Sequence, residues 1–363
     1  MQVQEEHFMR IAIGLAAKGN GLVSPNPMVG AVLVKQGRIV GQGYHHRFGW
    51  AHAEVEAIHD AGKAARGSTM YVTLEPCCFY GKTPPCTDAI KRAGIKKVIA
   101  ATIDPNPRVH GEGMRCLRKA GIETMVGILG KAARQLNEAY FTYYKELRPF
   151  IVLKVALTLD GMLATRDGES QWITGRLALG KAQELRCQAD AVLVGVNTVL
   201  NDDPRLNCRV IPGKKLLRVV LDSDLRIRLD SRFLSIKQPV LVFTASKNRT
   251  KTQKLEKKGA EVIRIARDRN GLLSWDRIIA ALYQRQIQSV LIEGGAIVAS
   301  SALEAGVVDK VYAFQAAKVL GPGKSLSIGM KPRRLSQAIV LKPVRHTVFG
   351  SDVLTEGYVM GRE

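Results

Sequence analysis

No run of about 20 apolar residues occurs in the 363-residue chain, so a membrane-spanning helix is not expected. A secretory leader is not expected either. Residues 1–10 are polar and carry the adjacent acids Glu5 and Glu6, which lack a signal-peptide core. Cysteine is sparse, with six: Cys77, Cys78, Cys86, Cys116, Cys187 and Cys208. In a chain of this length without a secretion signal, a disulfide scaffold is not expected, and the expected location is cytoplasmic. Acidic residues are short, 32 against 54 basic ones, leaving a formal charge of +22. That excess suits anionic partners, nucleic acid or phosphorylated small molecules, without choosing between them. With 46% hydrophobic and 24% charged residues, disorder, collagen and coiled coil are excluded. The length suits about two domains.

No internal repeat is visible, so two different domains are expected, 1–147 and 148–363. In the first, helical spacing at Phe8, Ile11, Ala12, Leu15 and Ala16 is followed by strands at 30–34 and 38–43. A helix over 51–61 stops at Gly62, and a strand over 70–74 precedes a helix over 87–93. Strands at 98–102 and 123–128 flank a helix over 112–120, and a connecting helix is expected over 132–147. Alternation of strand and helix predicts a largely parallel sheet between helices. Arg148-Pro149 breaks the pattern, and a second α/β series begins. Its strands are expected at 151–156, 191–195, 217–221, 240–244, 261–265, 289–293 and 310–314. Its helices are expected over 177–188, 250–258, 275–285 and 295–304.

Three of the cysteines crowd into ten residues, close to His52-Ala53-Glu54. His52, Cys77 and Cys86 offer zinc one imidazole and two thiolates and leave a fourth position for water, which is the catalytic pattern. Zinc brings the pKa of that water to about 7. Glu54, two residues past His52 at a helix start, is then a proton carrier and not a ligand. The bland alternative is a packing histidine among small core thiols. Against it, H-x-E with Pro-Cys has a chemical meaning, nucleobase deamination. Cys77 is preferred to the adjacent Cys78 because it follows Pro76.

Further segments are Ser24-Pro25-Asn26-Pro27-Met28-Val29-Gly30, Gly43-Tyr44-His45, Gly81-Lys82-Thr83-Pro84-Pro85-Cys86 and Asp104-Pro105-Asn106-Pro107. With the zinc motif, they resemble the bifunctional riboflavin biosynthesis deaminase-reductases, over nearly the whole chain. The long gap from Cys77 to Cys86 separates this family from deaminases with two residues between their cysteines. The resemblance implies a cytidine-deaminase-like three-layer α/β/α zinc domain acting on 2,5-diamino-6-ribosylamino-4(3H)-pyrimidinone 5′-phosphate. It puts Asn26, His45 and Lys82 near that substrate, and Asp104 and Asn106 follow an expected strand, where α/β enzymes bind ligands. On the residues alone, Lys82 is either a solvated lysine or a phosphate partner. The chain departs from the family at Phe79, where histidine is usual, and at Trp50-Ala51, where Glu-Pro is usual.

No G-x-G-x-x-G follows the first strand of the second domain, so an ordinary dinucleotide fingerprint is absent. Present instead are Lys154 to Gly161, Ser170-Gln171-Trp172, Asp202-Asp203-Pro204-Arg205-Leu206 and Leu291-Ile292-Glu293-Gly294-Gly295. Two glycines between a strand and a helix are either a plain turn or a phosphate cradle. Arg186 and Arg209 are either surface residues or a clamp for a phosphate. Trp172 alone reads more readily as core than as a cofactor neighbour. The resemblance implies a dihydrofolate-reductase-like α/β domain that reduces 5-amino-6-(5-phosphoribosylamino)uracil with NADPH. It assigns Ala156, Trp172, Thr198, Asp202, Ser223 and Gly295 to the cofactor, and Ser170, Arg186, Leu206, Arg209 and Glu293 to the substrate.

The basic run Lys247, Arg249, Lys251, Lys254, Lys257, Lys258 lacks interleaved aromatics and reads as a solvated helix face whose first residues are a candidate for the cofactor's 2′-phosphate. The expected partners are therefore phosphorylated pyrimidines, with no nucleic acid and no membrane, and the expected assembly is a homo-oligomer. The competing function is a zinc deaminase acting on RNA with a basic second module, which the charge favours and the cysteine spacing opposes.

Overall fold

In the computed structural model, residues 2–361 are described, and the chain divides at Arg148–Pro149 into two units. In the first unit α1 (Gln2–Ala17) precedes a hairpin of β1 (Gly30–Lys35) and β2 (Arg38–Tyr44). There follow α2 (Ala53–Ala61), β3 (Thr69–Val72), α3 (Cys86–Arg92), β4 (Lys97–Ala100), α4 (Glu112–Lys119) and β5 (Glu123–Val126). Two helices close the unit, α5 (Gly130–Leu136) and α6 (Glu138–Glu146).

The pleat of β1 shows why the unit has three layers. Ala31 and Leu33 join Ala53, Ala57, Met70, Ile90, Met114 and Leu117 on one face of the sheet. Val32 and Val34 join Phe8, Met9, Ala12, Leu15 and Ile99 on the other. The strand order is β2-β1-β3-β4-β5. The expected largely parallel sheet has one exception: β1 is antiparallel to both its neighbours, β2 and β3, while β2, β3, β4 and β5 all point the same way. The cause lies in Gln36-Gly37, whose φ angles of 50° and 75° suit a tight hairpin turn in place of a crossover.

The single helix expected over 132–147 is also two helices. Asn137 leaves helical geometry between them, and its side chain holds the backbone of Met28 at 2.7 Å (N–H donor) and 2.8 Å (carbonyl acceptor). That pair of bonds fixes the loop carrying Asn26.

The second unit starts with β6 (Phe150–Leu157), β7 (Met162–Thr165) and α7 (Arg176–Gln188). It continues with β8 (Ala191–Gly195), α8 (Val196–Asp202), β9 (Leu217–Leu221), α9 (Arg232–Ser235), β10 (Val240–Thr244), α10 (Arg249–Lys257) and β11 (Ala260–Arg264). Then come α11 (Trp275–Gln284), β12 (Ser289–Glu293), α12 (Ala296–Glu304), β13 (Lys310–Gln315), β14 (Gly323–Ser325), β15 (Leu341–Phe349) and β16 (Asp352–Val359). Nine strands form one sheet in the order β11-β10-β9-β8-β12-β6-β13-β16-β15. The seven from β11 to β13 are parallel and the last two antiparallel. Both faces are covered, which is why its central strands read as near-continuous apolar runs.

Contrary to the expectation drawn from cysteine usage, this unit contains a disulfide, Cys187–Cys208. It joins the last turn of α7 to the loop after α8, two places that spacing along the chain does not bring together.

Candidate active sites

In the first unit, Gly41 and Gly43 let α2 lie directly on β2. A Cβ on Gly43 would come within 2.5 Å of Ala57 N, and one on Gly41 within 2.4 Å of Ala57 O. The start of α2 is thereby pressed against the end of the sheet. His52 occupies the N-cap, and Glu54 lies in the first turn, almost fully buried. Cys86 opens α3, and its backbone N–H donates to Cys77 Sγ at 3.4 Å.

His52 Nδ1 stands 3.2 Å from Cys86 Sγ and 3.6 Å from Cys77 Sγ, while its Nε2 meets Thr83 Oγ1 at 3.4 Å. The ligand atoms of His52, Cys77 and Cys86 all lie within 4.8 Å of one another. One imidazole nitrogen and two sulfurs, converging and backed by a helix start, fit zinc. Cys78, the alternative thiol, is outside this group; its sulfur faces Arg108 O at 4.0 Å.

The electrostatics agree with that donor set. The hydrogen bond from the Cys86 thiol pushes Cys77 down to about 4, aided against burial by His52 and the Cys86 N–H. Cys86 is held well above the usual thiol range by the same shared proton and by its burial. Burial pushes Glu54 up to about 7, with His52 pulling the other way. A carboxyl poised there can both take and give a proton near neutrality.

A cavity of about 250 Å³ opens above the triad. Asn26, His45, His52, Glu54, Cys77, Lys82, Asp104 and Asn106 all line it, so every deaminase residue named from sequence meets there except Cys86, which lies behind. His45 Nδ1 donates to Ala51 O at 2.9 Å, so its Nε2 accepts from Asn26 Nδ2 at 3.1 Å. Burial, foremost, keeps this histidine below its ordinary pKa and therefore neutral. Asp104 accepts from Asn106 N at 2.8 Å and from Tyr140 Oη at 3.1 Å. Burial raises it to about 7 against those bonds. Lys82 Nζ stands 4.0 Å from the Phe48 ring centroid. Phe79 and Trp50, the two departures from the family pattern, line the same cavity.

In the second unit, a cavity of about 520 Å³ crosses the carboxyl ends of β6, β8, β9 and β12. It is lined by Ala156, Ser170, Thr198, Asp202, Ser223, Glu293 and Gly295. Gly294 and Gly295 have φ of 105° and 84° and lead into α12. A Cβ on Gly295 would lie 3.4 Å from Thr198 Oγ1 and 3.7 Å from Gly195 N. The starts of α8 and α12 thus face one hollow that only glycine leaves free, which fits a dinucleotide phosphate. Ser170 Oγ donates to Asp202 at 3.3 Å.

Four named residues lie outside that lining. Trp172 is 67% exposed, so the core reading fails; Leu206 is buried and Arg209 exposed on the loop after α8. Arg186 bonds Glu293 through Nε (2.5 Å) and Nη2 (2.8 Å). The expectation that Arg186 and Arg209 form one clamp is corrected, because the Arg186 fork is already occupied by a buried carboxylate. The basic run from Lys247 to Lys258 is largely exposed and contributes nothing to the cavity.

Residues 149–355 match the family described as RibD C-terminal domain, and residues 2–102 match the cytidine and deoxycytidylate deaminase zinc-binding region. The riboflavin biosynthesis protein RibD of Aquifex aeolicus is 43% identical over 352 residues, covering 96% of this chain and 97% of that one. The chain belongs to the RibD family. Its architecture is that family's: a cytidine-deaminase-like zinc domain followed by a dihydrofolate-reductase-like domain, giving a bifunctional deaminase and reductase of riboflavin biosynthesis. RibD of Actinobacillus pleuropneumoniae is 40% identical over 97% of this chain and 95% of its own. Among solved structures, Acinetobacter baumannii RibD superposes with a TM-score of 0.91 at 34% identity, covering 99% of this chain and 100% of that one. The Thermotoga maritima deaminase/reductase gives 0.86 at 40% identity, with 99% of each chain covered.

Three residues of this RibD chain were missed from sequence. Lys154 lines the reductase cavity; burial lowers its pKa, with the charge of Arg186 adding to burial and that of Glu293 opposing it. Arg226 and Arg267 line the same cavity near Ser223. Arg226 and Arg267 are loop cations without a periodic signal, and Lys154 lies in β6, where strand alternation does not mark which charged residue meets a ligand. Among the described residues no helix is long and apolar enough to cross a membrane.

Proposed function

We propose that the first domain binds the diaminopyrimidinone 5′-phosphate in the 250 Å³ cavity and removes its 2-amino group. The observation that carries this reading is the convergence of His52, Cys77 and Cys86 beneath a buried, near-neutral Glu54. Zinc, when bound by those three residues, supplies the Lewis acidity that makes water nucleophilic near pH 7. Glu54 takes one proton of the attacking water and passes it to the ring nitrogen; it then takes the second proton from the hydroxyl on the tetrahedral carbon and gives it to the amine, which leaves as ammonia while the carbonyl forms. Asn26 and neutral His45 orient the ring, and Lys82 holds the phosphate.

The second domain reduces the deaminated product. NADPH supplies the hydride that reaches C1′ of the sugar. In this reading the Gly294-Gly295 turn and Thr198 receive the cofactor's pyrophosphate, with Ala156, Trp172, Asp202 and Ser223 along its length. Arg226, bonded to Asn197, and Arg267, paired with Asp224 on the exposed rim, bring positive charge to its 2′-phosphate. Glu293 and Ser170 meet the sugar, Leu206 packs against it and Arg209 binds its phosphate. Arg186 acts through Glu293, and Lys154 can donate a proton to the opening sugar ring. The ligands are phosphorylated pyrimidines and the assembly a homo-oligomer.

Isotope-labelled NADPH tests the hydride transfer: the label should appear at C1′. Label on the pyrimidine ring would refute the assignment of the second domain.

A further inference from the structure

The loop after α8 carries Leu206 and Arg209 and is tied down by contacts that neither reaction uses. Cys208 is joined to Cys187 at the end of α7. On the same helix Gln183 Nε2 donates to Asn207 O at 2.8 Å. From β9, the fully buried Arg218 donates to Arg205 O at 3.4 Å and to Ile236 O and Gln238 O. Asp203 and Leu206 hold φ of 40° and 47°, an unfavourable region for residues with a Cβ. A backbone held in that region needs external ties to persist. Helix α7 also carries Arg186, next to Cys187 and engaged with Glu293. The disulfide therefore couples the proposed phosphate contact to the helix that positions the cavity's carboxylate.

We infer that Cys187–Cys208 is a reversible thiol-exchange site that tunes the reductase domain's affinity for its sugar-phosphate substrate, with a dithiol as the exchange partner. This inference rests on the proposed role of Arg209. Cys187 is buried and Cys208 half-buried, so Cys208 is the more open of the two to an incoming thiolate. Its attack forms a mixed disulfide at Cys208 and breaks the bond to Cys187, which leaves as a thiolate and takes a proton. The second thiol of the partner loses its proton and attacks its own sulfur in the mixed disulfide. Cys208 is released and protonated. Two electrons have passed from the dithiol to the protein, and the partner ends as a disulfide. The Gln183 and Arg218 bonds hold the loop only as far as Asn207, so with the covalent tie gone the stretch carrying Arg209 must be ordered again when substrate binds. Neither Cys187 nor Cys208 lines the cavity proposed for the cofactor.

The test uses the full chain and pre-made deaminated substrate, so that the zinc site is not read. After dithiothreitol, mass spectrometry of alkylated peptides should find Cys187 and Cys208 newly labelled. The substrate KM should rise about three- to tenfold, the loss expected when a binding loop must be ordered anew. The KM for NADPH should hold, and oxidised glutathione should restore the starting value. A C187A/C208A variant should show the raised KM with or without dithiol; if it does not fold, chemical reduction of the unaltered protein decides. R209A in the oxidised protein separates the two ideas. If R209A raises KM while reduction does not, the exchange site is overturned and the role of Arg209 stands. If R209A leaves KM unchanged, both fall. Cysteines that remain alkylatable in excess oxidised glutathione overturn the exchange site directly.

Discussion

Arg186 grips Glu293 at 2.5 and 2.8 Å, with both side chains nearly buried, so one carboxylate balances two cations, Arg186 and Lys154. Burial alone would raise Glu293; the Arg186 charge and hydrogen bonds, with Lys154, outweigh it and hold the carboxyl below its ordinary value. Changing Glu293 to Gln strands both cations and should destabilise the second domain by about 3 kcal/mol at pH 7. A depressed carboxylate gives stability that is present above its unfolded pKa and is lost as pH falls through the lower folded one. The gap between the native protein and E293Q should therefore shrink below about pH 4. Denaturant titrations at several pH values measure it.

Glu54→Gln keeps the side chain's size and removes its proton. Zinc content should be unchanged and deamination should fall at least about 100-fold. Reduction of pre-made deaminated substrate should be nearly unaffected, as measured by NADPH consumption.

Asp104 is a buried carboxyl raised to about 7, the opposite case to Glu293. Its neutral form suits the fold, so its contribution is fully present below the unfolded value and is lost as pH rises from about 4 toward 7. Asp104→Asn keeps an oxygen for Asn106 N and removes the titration. The variant should gain on the native protein with rising pH, by on the order of 2 kcal/mol at pH 8. Thermal melts across pH 5 to about 8 check the sign.

Arg267→Ala should raise the KM for NADPH about tenfold, the effect of losing a charge-assisted bond. Turnover with NADH should scarcely change, and steady-state kinetics with both cofactors separates the two.

Most of the fold was legible because buried parallel strands announce themselves. β8, β9, β10 and β12 begin and end where the apolar runs at 191–195, 217–221, 240–244 and 289–293 do. The hairpin β15–β16 was not anticipated, since β15 is exposed along nearly its whole length and its sequence, Leu-Lys-Pro-Val-Arg-His-Thr-Val-Phe, gives no buried face. The break at Asn137 was invisible because its cause is a contact with Met28, more than a hundred residues away. At the sites the pattern repeats. His52, Glu54, Cys77 and Cys86 carry chemistry in their spacing, and the fold brings them together. The Arg186–Glu293 pair and the Cys187–Cys208 bond depend on which helix end meets which loop, which spacing does not encode.

The central claim is that one chain holds two successive chemistries in two separate domains. Diaminopyrimidinone phosphate should be incubated with the zinc-loaded protein, with and without NADPH, and the products resolved chromatographically. Without NADPH, the account predicts release of ammonia and accumulation of the ribosylamino-uracil phosphate. With NADPH, that product should be replaced by the ribitylamino compound, with one NADPH oxidised for each. NADPH oxidation without prior ammonia release, or ammonia release with no NADPH use, would contradict it.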